Sequence, residues 1–251
     1  MKGRDAASQR RQREREHFEA AFAAGHQLYW ADRTPAGRLR QEIRADRLRC
    51  VATLEDSPAA WVLDIGCGIG SYTKPFARQI HASVFAVDLT TALLRGAREG
   101  SPANLRFAAA DAGELPFPQG SFDAVIGNAV LHHLPLERAV PELLRVLKSG
   151  GRFCFAEPNL LNPQVFLERT VPWLRRWLGN SPDETAFNRW QLRRALEALG
   201  LVDVTIDPFD FLYPLTPRPL IGAVVRAGSI LERIPGVREI AGSLLIVAQK
   251  P

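Results

Sequence analysis

Trp61-Val62-Leu63-Asp64-Ile65-Gly66-Cys67-Gly68-Ile69-Gly70 is the stretch that decides how this 251-residue chain folds. Its first half is a short apolar run holding one carboxylate, the pattern of a buried parallel strand. Its second half sets glycines at 66, 68 and 70, where a chain turns sharply and brings its backbone close to a ligand. Residues 71–80 read as a helix, so the glycines stand between a strand and a helix N-terminus. Free N–H groups gather there and favour anionic or acceptor-rich ligands, a nucleotide-like molecule first among them. The dinucleotide fingerprint G-x-G-x-x-G needs glycine or alanine at 71, where Ser71 stands. The pattern is G-x-G-x-G, with Asp64 two residues ahead of its first glycine. A carboxylate aimed into such a pocket repels a pyrophosphate and suits a ligand carrying an ammonium group.

Outward from this core the same grammar repeats. Strands are expected at 83–87, 105–109, 122–127 and 152–156, with helices at 90–99 and through 147 between them. Pro141 marks that last helix's first turn or a kink, and Ser149-Gly150-Gly151 makes a tight turn into the fifth strand. Two further strands are expected at 202–206 and 244–248, with a helical insertion over 217–239 before the last. Alternating strands and helices with short loops imply right-handed crossovers. The expected fold class is therefore α/β, a doubly wound, seven-stranded, mostly parallel sheet with a Rossmann-like core. Ahead of it, residues 1–54 read as basic helices (4–24 and 37–54) interrupted at 26–30, with residues 17–35, including the aromatic anchors Tyr29 and Trp30, as a lid. Residues 55–251 read as the catalytic domain, with substrate-side elements at 160–190 and 208–240.

Composition is that of an ordinary soluble globular protein long enough for a full core. Neither a secretory leader nor a long uninterrupted apolar run is present in the sequence, so a cytoplasmic location is expected. Cys50, Cys67 and Cys154 are odd in number and lack metal-ligand spacing, which suits a reduced compartment and no metal site. The basic pI of about 9.5 is local in origin. Residues 1–50 hold 12 Lys+Arg against 7 Asp+Glu, leaving 20 of each sign in residues 51–251. That describes a solvated N-terminal helix over residues 1–16 and no chain-wide nucleic-acid surface.

The strand ends Asp64, Asp88, Asp111, Asn128 and Glu157 all belong to one edge of the sheet, where ligands bind in open α/β folds. Singly, each acid serves as readily as a helix cap or turn former. Asp88, 22 residues beyond Gly66, can accept bonds from both ribose hydroxyls, and Asp111 can accept an exocyclic amine. The stretch 55–160 resembles the class I S-adenosyl-L-methionine (SAM) methyltransferases, in particular the small-molecule branch with the ubiquinone/menaquinone C-methyltransferases. The resemblance rests on Val62 to Gly70, Val87-Asp88-Leu89, Asp111-Ala112 followed by Leu115-Pro116-Phe117, Phe122-Asp123-Ala124-Val125, Leu131-His132-His133-Leu134 and Arg145 to Gly151. It implies SAM as cofactor. The binding set would be Asp64, the loop residues Gly66, Cys67, Gly68 and Gly70, Asp88 with Leu89, Asp111 with Ala112, and Asn128.

His132, His133 and Glu157 are the candidate catalytic residues, since a base is needed where the accepting atom must lose a proton. The histidine pair serves equally as loop packing, and Glu157-Pro158-Asn159 as a structural corner. Trp173, Trp177, Trp190, Phe209, Phe211 and Tyr213 lie where acceptor pockets of this family form, leaving O-, N- and C-methylation open. A small-molecule, lipid-linked or glycan-linked acceptor is expected. The helix at 217–239, with Leu220, Val224 and Ile230 among basic residues, suits peripheral membrane contact or cover for the sheet's edge. A nucleic-acid methyltransferase is the weaker alternative, because Asn128-Ala129-Val130-Leu131 lacks the Pro-Pro-aromatic sequence of base-amino enzymes. A SAM-binding regulator without turnover is the other.

Overall fold

The computed structural model describes residues 12–20, 34–52, 57–177, 181 and 185–251. One sheet contains β1 (Trp61–Ile65), β2 (Ser83–Asp88), β3 (Leu105–Ala109), β4 (Phe122–Asn128), β5 (Leu147–Pro158), β6 (Val202–Phe209) and β7 (Ser243–Gln249). The order is β3-β2-β1-β4-β5-β7-β6. β1 to β5 run parallel, and β7 is antiparallel to both neighbours. The chain winds outward from β1 in one direction through β3 and in the other from β4. A crevice therefore opens at the carboxyl ends of β1 and β4.

The described helices are α1 over residues 12–20, α2 (Pro35–Ala52), α3 (Thr73–Arg78), α4 (Thr91–Arg98), α5 (Leu136–Val146), α6 (Pro163–Thr170), α7 (Pro172–Trp177), α8 (Arg189–Ala198) and α9 (Ile221–Leu231). Alternate residues of the central strands enter opposite cores. Leu63, Ile65, Val125, Phe153 and Phe155 face one side. Val62, Ala124, Ile126 and Cys154 face the other. Burial on both faces is why these strands read as nearly continuous apolar runs.

Three local expectations change. Pro141 sits inside α5, which continues through it. The turn at Ser149-Gly150-Gly151 lies within β5 as a bulge. The register against β4 jumps from Phe122↔Leu147 to Ala124↔Arg152, with Gly150 at φ 73°. On α2 the apolar spacing points to Leu39, Ile43, Leu48 and Val51 as the inner face. Leu48 is buried as expected, but the other buried residues are Ala36, Gly37, Arg44, Ala45 and Ala52, while Leu39 and Ile43 are half-buried; the Val51 side chain lies outside the described residues. Arg44 is inside because its guanidinium finds partners there, as set out below.

Candidate active site

At the carboxyl ends of the strands lies a cavity of about 380 Å³. Gly66, Asp88, Leu89, Asp111 and Ala112 line one half of it, and Asn128 stands near the middle of the β1–β4 crevice. Gly66, Gly68 and Gly70 all take positive φ (69°, 54° and 79°), the left-handed region that favours glycine. The N–H groups of Gly66 and Cys67 both donate to the Val87 carbonyl, at 2.8 and 3.1 Å, and stitch the loop to β2. Gly66 lines the cavity, whereas Cys67, Gly68, Gly70 and Asp64 do not.

Asp64 is fully buried and accepts a bond from Thr73 Oγ1 at 2.6 Å on Oδ2. Its Oδ1 has no hydrogen-bond partner among the described residues. Burial holds its carboxyl well above the usual range; the Thr73 bond opposes this and the nearby Asp88 adds to it. A buried carboxylate oxygen with spare accepting capacity suits a cationic group at the loop. Asp88 accepts the Gly68 N–H on Oδ2 at 2.9 Å and the Thr90 N–H on Oδ1 at 2.8 Å. Burial raises its pKa, and these bonds hold the rise back. Each oxygen keeps further lone pairs for a ligand. Asp111 accepts the Gly113 N–H at 3.0 Å and pairs with Arg138 at 3.2 Å, so it too has a fixed orientation.

The three candidate catalytic residues separate. Glu157 is fully buried, does not line the cavity, and uses both oxygens inside the protein. Its Oε1 accepts the N–H groups of Val130 and Leu131 at 2.9 and 2.8 Å, and its Oε2 lies 2.7 Å from His132 Nδ1. It shapes the turn after β4 and fixes the His132 ring, which the cavity reaches. His133 also lines the cavity, 2.9 Å through Nδ1 from Glu14 Oε2 on α1. Phe18 meets the His133 ring edge-on at 5.4 Å, and the second Glu14 oxygen accepts a bond from Ser181 Oγ. Glu14 is thus a buried contact across the mouth, where charge spacing alone reads as solvated helix. Tyr29 and Trp30, the expected lid aromatics, lie outside the described residues.

In the other half of the cavity, Arg40, Gln41 and Arg44 join the expected Asn128, and no sequence signal singled these three out. Arg44 Nη1 donates to Asn128 Oδ1 at 2.9 Å, and Asn128 Nδ2 donates to Gln41 Oε1 at 2.9 Å. Arg40 and Arg44 also meet Asp210, just past β6. Nothing in the sequence distinguishes these arginines from solvated ones, because their partner lies about 170 residues away. Of the tail aromatics, Phe211 and Tyr213 line the cavity, and Phe209 is in the core. Trp173 and Trp190 are exposed, and the Trp177 side chain lies outside the described residues.

Residues 63–155 match the family model described as a methyltransferase domain. Over those residues the chain is similar to a methyltransferase domain. Among curated proteins, the domain and its flanks are 33% identical over 168 residues to 2-methyl-6-phytyl-1,4-hydroquinone methyltransferase of Synechocystis sp., covering 64% of this chain and 52% of that one. They are 32% identical over 153 residues to demethylmenaquinone methyltransferase of Thermobifida fusca, covering 56% and 64%. The chain thus spans about half to two thirds of the length of these relatives. A SAM-dependent methyltransferase from Thermotoga maritima shares the fold of this chain, with TM-score 0.65 and 16% identity over 94% of this chain and 99% of that one.

Proposed function

We propose that this chain is a SAM-dependent methyltransferase acting on a small-molecule or lipid-linked acceptor. The observation that carries it is one continuous cavity. It joins Gly66 of the G-x-G-x-G loop, Asp88 and Asp111 to a second compartment at Asn128, Arg40 and Tyr213. In this reading Asp88 holds the ribose hydroxyls, Asp111 with Ala112 the adenine, and Asp64 with the glycine loop the methionine end. The unpartnered Asp64 oxygen fits the ammonium of such a cofactor. SAM supplies an activated sulfonium methyl group when bound. The protein aligns the acceptor behind it and excludes water, and such alignment is worth ~7–11 kcal/mol. Where the accepting atom carries a proton, His133 is the group placed to receive it, with Glu14 holding its ring. Glu157 stays a positioning residue for His132 and the turn.

The names of the quinone-type relatives favour an apolar acceptor. In this second aspect of the reading, α9 and the turns on either side of it lie on an anionic membrane surface. Leu220, Ile230 and Ile234 are exposed there beside Arg218, Arg226 and Arg233. No described helix is long and apolar enough to cross a membrane. Co-sedimentation with anionic vesicles that weakens with salt is expected; protein that stays in the supernatant at low salt removes this aspect. The catalytic reading is tested by supplying SAM with a cell extract and measuring S-adenosylhomocysteine. Acceptor-dependent product is expected. Cofactor binding without any turnover across extracts would favour a non-catalytic SAM-binding protein.

A further inference from the structure

α6 (Pro163–Thr170) reverses the usual sides of a surface helix. Gln164, Val165, Glu168 and Arg169 share one side at helical spacing, and all four line the cavity. The larger apolar side chains, Phe166 and Leu167, lie on the other side and are 49% and 50% exposed. Trp173 on α7 follows them and is 67% exposed. No residue of α6 is buried, although the helix walls the cavity. At the helix start Asn162 Nδ2 donates to the Ile240 carbonyl at 2.7 Å, so the apolar face adjoins another exposed isoleucine.

Large apolar side chains gathered on an outer face mark contact with an apolar phase or partner. Composition favours a bilayer. Residues 163–177 hold Arg169, Arg175 and Arg176 against Glu168, a basic balance that suits anionic headgroups. Glu168 is on the cavity side, where its Oε1 accepts a bond from Gln164 Nε2 at 2.6 Å. Trp173 supplies the amphipathic ring that sits well at a membrane–water boundary. At 8 and 6 residues, α6 and α7 have the length to lie in such a surface and not to cross it.

We infer that α6 and α7 seat this face in the surface of an anionic membrane, and that the acceptor enters the cavity from the bilayer past α6. The inference rests on the methyltransferase reading of the cavity and names the phase its acceptor comes from. It concerns the cavity's own wall, since α6 lines the cavity and α9 does not. With one side on the cavity and the other in the lipid surface, α6 lets an apolar acceptor reach the site without exposing its surface to water.

Vesicles of equal parts brominated phosphatidylcholine and phosphatidylglycerol test it on the full chain with S-adenosylhomocysteine bound. The wild type should co-sediment with them, and the bromines should quench its tryptophan emission. Phe166→Gln with Leu167→Gln, which keeps good helix formers at both positions, should lower vesicle affinity at least about tenfold. Its S-adenosylhomocysteine affinity should be unchanged. Trp173→Phe should lose part of the quenching. Val202→Gln, at an exposed apolar position on the opposite edge of the sheet from the cavity, should change neither vesicle affinity nor quenching. If the double variant does not fold, the Trp173→Phe comparison decides. Wild type left in the supernatant, or undiminished quenching in Trp173→Phe, overturns the inference. Full vesicle affinity in the double variant also overturns it: weakening in Leu220→Gln would then leave α9 as the membrane contact, and a dimer that the double variant dissociates would make the face a protein interface. Failure to bind S-adenosylhomocysteine at all would instead count against the methyltransferase reading.

Discussion

Adding one methyl group at Gly66 should break the glycine loop in a way that can be calculated beforehand. Gly66 has φ 69°, and a side chain in that left-handed region costs ~1–2 kcal/mol. A Cβ there would stand 2.4 Å from Val130 Cγ2 and 2.9 Å from Val130 Cβ. Val130 cannot simply retreat, because it is buried and its N–H is held by Glu157 Oε1 at 2.9 Å. Relieving such an overlap in a packed interior costs a further ~1–3 kcal/mol. Gly66→Ala should therefore lose ~2–5 kcal/mol, a large part of an ordinary domain's stability of ~5–15 kcal/mol. Urea unfolding followed by circular dichroism measures the loss. The same substitution in a Val130→Ala background should cost at least about 1 kcal/mol less, since the nearest colliding atom is gone. A loss below about 1 kcal/mol in the wild-type background, or an identical loss in both backgrounds, would refute the steric account.

Asp88→Ala should weaken S-adenosylhomocysteine binding by ~1.5–3 kcal/mol, the value of bonds to a charged acceptor, and calorimetry with unchanged affinity would remove Asp88 from the site. Burial raises the Asp64 pKa, so in the free protein this group favours folding below the unfolded carboxyl pKa and loses that contribution as pH rises through the folded value. An ammonium beside it favours the ionised form, so SAM binding within that raised window should release a proton. Binding heats should then differ between buffers of different ionisation enthalpy, and Asp64→Asn should abolish the difference; equal heats in the wild type would place the ammonium elsewhere. Glu157→Gln should destabilise the protein by ~1.5–3 kcal/mol by weakening the bonds to Val130, Leu131 and His132, measured by urea unfolding, whereas unchanged stability would deny its positioning role.

The legible part of this protein is the part whose partners lie near in sequence or follow a strong period. All seven strands were readable from apolar runs bounded by turn residues, and β3 falls on its expected residues 105–109. The gathering of Gly66, Asp88 and Asp111 on one side of the cavity was readable too, since each stands at a strand end and the parallel topology brings such ends to one edge. The arginine side of the cavity was not. Arg44 is buried because of Asp210 and Ser243, 166 and 199 residues away, and no local pattern marks that bond. Glu14 looked like one more charge on a basic helix, yet it reaches His133 and Ser181 across the mouth. Glu157 stood at the right edge for chemistry, but the turn at Val130-Leu131 consumes its oxygens, a use visible only once β5 lies beside β4.

The most direct test of the account is equilibrium titration of the purified chain with SAM, S-adenosylhomocysteine and NAD. The glycine spacing, the buried Asp64 and the Asp88 and Asp111 positions together call for binding of the first two in the micromolar range and none of NAD. Binding of NAD with no response to SAM or S-adenosylhomocysteine would contradict the account at its centre.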